Sequence, residues 1–240
     1  MTFLNHIGVG GRVMNHASSG GYLRWTLYPT YQIWMDLEVP FLFHDSDLAM
    51  NRQAFVDRET LRRVLTKYDP PFIAVPMNLV QFRDTIRAFP DYRPVFFDDA
   101  AVLYLNRRHH PAIAEQYELK GKLGEVSPLA IRLLMEAGNF DGLKESILRI
   151  AQIYPQAQIV NHAASAIYLQ EGAYDVALRY AETMIQHSPE SPDGYWLKAE
   201  ALRGLGAMAE ALSAEQEGAR KQKRRSRFNF STPHVKPRRA

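Results

Sequence analysis

Four short stretches hold the residue types from which a site is built. In "FHDSD", His44, Asp45 and Asp47 have the nitrogen and carboxylate ligands a metal ion takes. The same letters start a helix if Asp45, Ser46 or Asp47 caps it, and that is the preferred reading. The glycines of "HIGVGGR", Gly8, Gly10 and Gly11, invite dinucleotide binding. They precede a strand rather than follow one, however, and they lack the G-x-G-x-x-G spacing. "RRHHP", Arg107 to Pro111, has the charge to meet an anion, but as a charge run between two halves it is expected to be a solvated hinge. The fourth stretch, "RVMNHASSGGYLRWTLYPTYQIWMD", sets Asn15, Gly20-Gly21 and Asp36 around a short helix. Glycines at a helix start leave backbone N–H groups open to an anion such as a phosphate. Tight packing of the helix start on a sheet explains the same pair and is preferred. No Ser, His and carboxylate set can be assembled from spacing, and cysteine is absent. The sequence therefore names no catalytic residue, no metal site and no cofactor.

The elements that must position these residues differ between the two halves. In the first, "YQIWMD", "FIAVP", "PVFFD" and "AVLYLN" read as short strands, and Asp98 and Asp99 fall at the tip of a hairpin turn in "FFDDAAVLY". Between them "DRETLRRVLTKYD" places Leu61, Val64, Leu65 and Tyr68 on one helical face, and "NLVQFRDTIRAF" does so with Leu79, Phe82 and Ile86. The alternation predicts an α/β domain with a mixed, partly parallel sheet and helices. A strand ending at Asn15, a helix from Gly20-Gly21 that buries Tyr22, Leu23 and Trp25, and a strand returning to Asp36 complete it.

In the second half Gly138, Gly172 and Gly206 recur at a spacing of 34 residues, as do Pro155 and Pro189. Each glycine sits where a first helix ends in a left-handed residue, and each proline where a second helix stops. Helices are expected at 127–137, 140–153, 158–171, 174–187, 192–205 and 207–224. Small residues, among them Ala164, Ser165, Ala177, Ala181, Ala199 and Ala211, allow close approach of paired helices.

With 46% hydrophobic and 23% charged residues among 240, the composition is that of a globular protein. No apolar run approaches the roughly 20 residues of a membrane-spanning helix, and no signal-peptide succession opens the chain. The net charge of +3 conceals an asymmetry. Residues 220–240 hold nine Lys or Arg and no acid, which leaves 20 basic against 26 acidic residues, a net of −6, in the remainder. The basic tail, expected at 226–240 as a disordered solubilising segment, also has the composition for contact with anionic lipid; nucleic acid is not the expected partner.

The 34-residue period and the unit "NHAASAIYLQEGAYDVALRYAETMIQHSP" resemble the tetratricopeptide repeat, a pair of antiparallel helices. The resemblance implies an all-α solenoid of three helix pairs, at 124–157, 158–191 and 192–225, after an α/β domain at 1–110 and a linker at 111–123. Leu143 and Glu215 depart from the pattern, standing where an alanine and an aromatic are usual. It further implies a concave groove for a protein or peptide ligand, lined by Arg132, Met135, Glu136, His162, Leu169, Gln170, Trp196, Glu200 and Arg203. The first half, over 12–107, resembles the soluble domain that follows the membrane helices of bacterial glycosyltransferase-C-type polytopic proteins. The resembling residues are Arg12 to Asn15, Gly20 to Leu23, Trp25, Leu27, Pro29, Tyr31 and Asp36, with "DPPFIAVP" and "RPVFFDDAAVLYLNR". That family commonly continues its aspartate strand as Asp-Gly-Arg, whereas here "LEVPFLF" follows Asp36.

Together the resemblances imply a non-catalytic accessory module of a glycosyltransferase-like membrane system that binds a partner through the repeat groove, with a membrane-embedded protein as one expected partner. The alternative is a glycan-phosphate or lipid-linked-sugar binding domain using Asn15, Gly20, Gly21 and Asp36. A member of the family would lie on the extracytoplasmic, periplasmic side of the cytoplasmic membrane; otherwise the chain would be cytoplasmic.

Overall fold

The structure, a computed structural model, describes residues 2–37, 42–119 and 143–229. The chain divides into two compact units, Met1–Ile159 and Val160–Ala240.

The first unit is built on strands β1 (Gly11–Asn15), β2 (Tyr31–Ile33), β3 (Phe72–Pro76), β4 (Tyr92–Phe97) and β5 (Ala101–Asn106), in the sheet order β2-β1-β3-β5-β4. β1 runs parallel to β2 and β3, while β5 is antiparallel to β3 and β4, so the sheet is mixed as the strand pattern predicts. Central β3 is buried from Phe72 to Val75 with no alternation, the habit of a strand covered on both faces. Pro94 sits on edge strand β4 beside a register shift, where its missing N–H costs no ladder bond.

The helices of this unit are α1 (Thr2–Ile7), α2 (Gly20–Leu27), α3 (Asp45–Ala54), α4 (Arg58–Tyr68), α5 (Phe82–Ile86), α6 (Pro111–Tyr117) and α7 (Lys144–Ile153). α4 follows directly from its sequence. Asp57 accepts a hydrogen bond from the Thr60 N–H at 2.7 Å, and Leu61, Val64 and Leu65 form the buried face. Left-handed Asp69, at φ 37°, ends it. Three expectations need correction. The cap of α3 is His44, not an acidic or serine residue after it; Asp47 acts from inside the helix by accepting from the His44 N–H at 3.0 Å. "RRHHP" is tied to the body of the unit, because His109 meets Asp69 at 2.9 Å, Arg108 reaches Asp69 and Asp91, and the His110 ring stacks on Phe72. Residues 111–117, within the expected linker, form α6, and Arg149 of α7 donates to its terminal carbonyls at Gln116 and Tyr117.

From residue 158 onward the chain forms two helical hairpins, α8 (Gln158–Gln170) with α9 (Tyr174–His187) and α10 (Asp193–Gly204) with α11 (Met208–Asn229). Their joints have the same hydrogen bonds. Gly172 and Gly206 have φ of 74° and 79°, the residue after each donates to a carbonyl five residues back, and each glycine donates to one three residues back. This is the paired closure that a left-handed glycine permits at a helix end. Ser165 donates to the Ala177 carbonyl at 3.0 Å and the Tyr168 and Tyr180 rings stack at 5.8 Å, joining α8 to α9. Ala199, Leu202, Ala211 and Ala214 make the corresponding core between α10 and α11. The expected first-repeat helix at 127–137 lies outside the described residues, as do Arg132, Met135 and Glu136 and the tail beyond 229; residues 226–229 of the expected tail continue α11. Among the described residues no helix is long and apolar enough to cross a membrane.

Candidate functional site

Helix α2 is set on the first unit by two residues of the glycine and asparagine motif. Gly20 approaches the following chain so closely that a Cβ there would lie 2.2 Å from the Met35 carbonyl oxygen and 2.6 Å from the Asp36 Cα. Asn15, fully buried, binds the same segment. Its Oδ1 accepts from the N–H groups of Trp34 (2.9 Å) and Met35 (3.2 Å), and its Nδ2 donates to the carbonyls of Met35 (2.7 Å) and His16 (3.0 Å). An amide side chain has two donor and two acceptor positions, so those of Asn15 are filled within the chain. The carbonyl of Asn15 accepts in turn from Asn51, which fixes α3 to the end of β1.

This framework opens two clefts, one on each side of α2. The first, of about 370 Å³, lies at the carboxyl ends of β1 and β3, lined by Ser18, Ser19 and Tyr22, by Asn78, and by Asp98 and Tyr154. The connection from β1 runs through α2 to β2 on one side, and β3 lies on the other, so this is the point where the sheet order reverses and α/β folds bind ligands. Its acidic groups also hold backbone. Asp98 accepts from the N–H groups of Ala100 and Ala101 at 2.9 Å, and Asp99 from those of Gln158 and Ile159. Burial, and next to it the negative charge of Asp98, raise the pKa of the Tyr154 hydroxyl, which therefore remains a donor at neutral pH. Carboxylates and hydroxyls at one mouth fit a neutral or cationic polar ligand and repel a phosphate.

The second cleft, of about 220 Å³, lies between α2 and β2 and contains Asp36. The Asp36 carboxylate is almost wholly buried and meets the exposed Arg24 guanidinium at 3.4 Å. Tyr28, Gln32, Trp34 and Leu42 are also among its lining residues. Of the residues expected in a first-domain site, Asp36 borders this cleft; Gly20 and Asn15 instead hold α2 in place. Gly21 is half-buried.

One expectation about α2 is reversed. Leu23 and Leu27 are its buried side chains, whereas Tyr22 is 64% exposed, Trp25 88% and, just past the helix, Tyr28 75%. The buried and the outward stripes both follow helical spacing, and the aliphatic one fills the core.

In the second unit the expected groove residues take several roles. Leu169 packs against Ala181, Met184 and Leu197. The Trp196 ring lies where a Cβ on Gly218 would touch it at 3.2 Å, and Arg203 pairs with Glu215, so both are engaged with α11. His162 is half-buried and its pKa is lowered, chiefly by desolvation, against an opposing pull from Asp193. Gln170 and Glu200 are exposed. A further crevice, of about 640 Å³, is lined by Glu190, Lys221, Arg224 and the turn at Ser188 to Ser191; Lys221 lies at its base, 2.8 Å from Glu190. Among the described residues no cluster of three or more His, Asp or Glu is placed to hold a metal.

The residues that sequence reasoning missed are Ser18, Asn78 and Tyr154. Ser18 and Asn78 follow the ends of β1 and β3 by two or three residues, a position that marks site loops only once those strands are known to be parallel neighbours. Tyr154 gives no such signal.

No protein-family model matches the chain, and no curated protein matches it. Among solved structures it is similar to one described as "MamA MSR-1 C2", a tetratricopeptide-repeat protein, with 13% identity over 92% of this chain and 96% of that one and a TM-score of 0.37.

Proposed function

We propose that this protein is a non-catalytic interaction module, the accessory part of a glycosyltransferase-like membrane system, and that it holds a protein partner through the first helices of its hairpins. The carrying observation is the repeated hairpin. Two hairpins whose glycines stand 34 residues apart close with the same left-handed glycine and the same hydrogen bonds, the construction by which helix pairs stack into solenoids that present an extended binding face. In a tetratricopeptide arrangement α8 and α10 are the groove-lining helices, and Gln170 and Glu200 on them are solvent-exposed. The partner fitting this reading is a protein or peptide, one anchored in the membrane if the first-half resemblance holds. The compartment would then be the extracytoplasmic face.

The test uses the intact chain as bait for detergent-solubilised membrane proteins, beside the double variant Gln170→Arg/Glu200→Arg and the variant Asn78→Ala in the first unit. A protein retained by the unaltered chain and by Asn78→Ala, but lost from the double variant at unchanged helicity, is the expected result. Equal retention by the double variant contradicts the reading.

A further inference from the structure

The outward aromatic face of α2 is left unexplained by protein binding through the hairpins. Trp25, on the helix, is 88% exposed and Tyr28, at its exit, 75%. Leu42, 67% exposed, joins Tyr28 at the rim of the cleft that holds Arg24 and Asp36.

We infer that the cleft between α2 and β2 binds a neutral saccharide, with a pyranose ring seated between Tyr28 and Leu42. Three features of the cleft choose this occupant. Its rim is aromatic, and the electron-rich face of a tyrosine or tryptophan attracts the weakly positive C–H groups on the flat side of a sugar ring, as it attracts other positive charge. Its polar groups are a carboxylate, a guanidinium and the Gln32 amide, which together accept from and donate to neighbouring hydroxyls. Among the described residues its charged lining groups are Arg24 and Asp36, one of each sign, which together offer no net attraction to a phosphate. A bilayer would require a convex apolar surface with its charges at the edge, whereas this buried carboxylate lines a concavity beside Tyr28 and Trp34. The inference rests on the first unit alone and is independent of partner binding by the hairpins.

Calorimetric titration of the full chain with cellulose-, chitin- and mannan-derived oligosaccharides, with glucose phosphate and with anionic phospholipid vesicles tests it. At least one neutral oligosaccharide should bind saturably. Tyr28→Ala, at a side chain that is 75% exposed, should leave the melting temperature unchanged and weaken that binding by about tenfold or more. Gln170→Arg/Glu200→Arg should retain it fully, which separates this site from the protein-binding one. The inference is overturned if no neutral oligosaccharide binds, if Tyr28→Ala binds as tightly as the unaltered chain, if glucose phosphate alone binds, or if only vesicles bind and Trp25→Ala abolishes that.

Discussion

Gly20 and Gly206 both sit at helix ends, for opposite reasons. Gly20 begins α2 in an ordinary right-handed conformation and is required because the Met35–Asp36 backbone occupies the space of a side chain. Gly206 follows α10 with open space around it and is required because its φ of 79° is a left-handed conformation. Gly20 thus brings chain segments together beside the clefts of the first unit, whereas Gly206, like Gly172, turns the chain between paired helices of the second. The two kinds of glycine should fail differently. A protein that loses close approach loses packing throughout the neighbourhood, whereas one that loses a left-handed turn pays a local conformational cost.

Three substitutions sharpen that contrast. Gly20→Ala should have the largest effect, about 3 kcal/mol or more, since the new methyl meets backbone atoms that cannot rotate away; chemical denaturation measures it. Asn15→Ala comes next, at about 2 kcal/mol, because the Met35 N–H and carbonyl lose their shared partner, while the Trp34 N–H keeps its bond to the Val13 carbonyl. Gly206→Ala should cost only about 1 kcal/mol, the penalty of a left-handed alanine with no steric clash. Equal losses for Gly20→Ala and Gly206→Ala would remove the distinction.

The smallest expected effect concerns pH. Desolvation lowers the pKa of His162 in the folded chain, so the unfolded chain binds a proton first as pH falls. Its contribution to stability is complete above the unfolded value of about 6.5 and declines as pH drops from there through the lower folded value. His162→Gln should therefore reduce the loss of melting temperature between neutral and mildly acidic pH. His16 and His110, also lowered by desolvation, leave a residual slope.

The hairpins were legible because one period carries them. The spacing of Gly172 and Gly206 and the stop at Pro189 predict helices whose ends agree with α8, α9 and α10 to within about a residue, and α11 is displaced mainly by running on to Asn229. The strands were legible from their apolar runs and bounding turns. The outer face of α2 was not, because two interleaved stripes, Leu23 with Leu27 and Tyr22 with Trp25, have equivalent helical spacing, and which one faces the sheet is decided by the close approach at Gly20. The role of "RRHHP" was hidden for a similar reason. A run of cations reads as solvated until Asp69 and Asp91, remote in sequence, are seen beside it. The candidate clefts depend on such distant neighbours, so single residues such as Asp36 could be singled out while Asn78 and Tyr154 could not.

The most direct measurement of the central claim is site-specific photo-crosslinking in membrane extract, with a benzophenone amino acid placed at Glu200 on α10 or at Glu210 on α11, both exposed. The account predicts a discrete protein adduct from Glu200 and none from Glu210. An adduct from Glu210 alone, or the same adduct at equal yield from both, would contradict binding through the first helices.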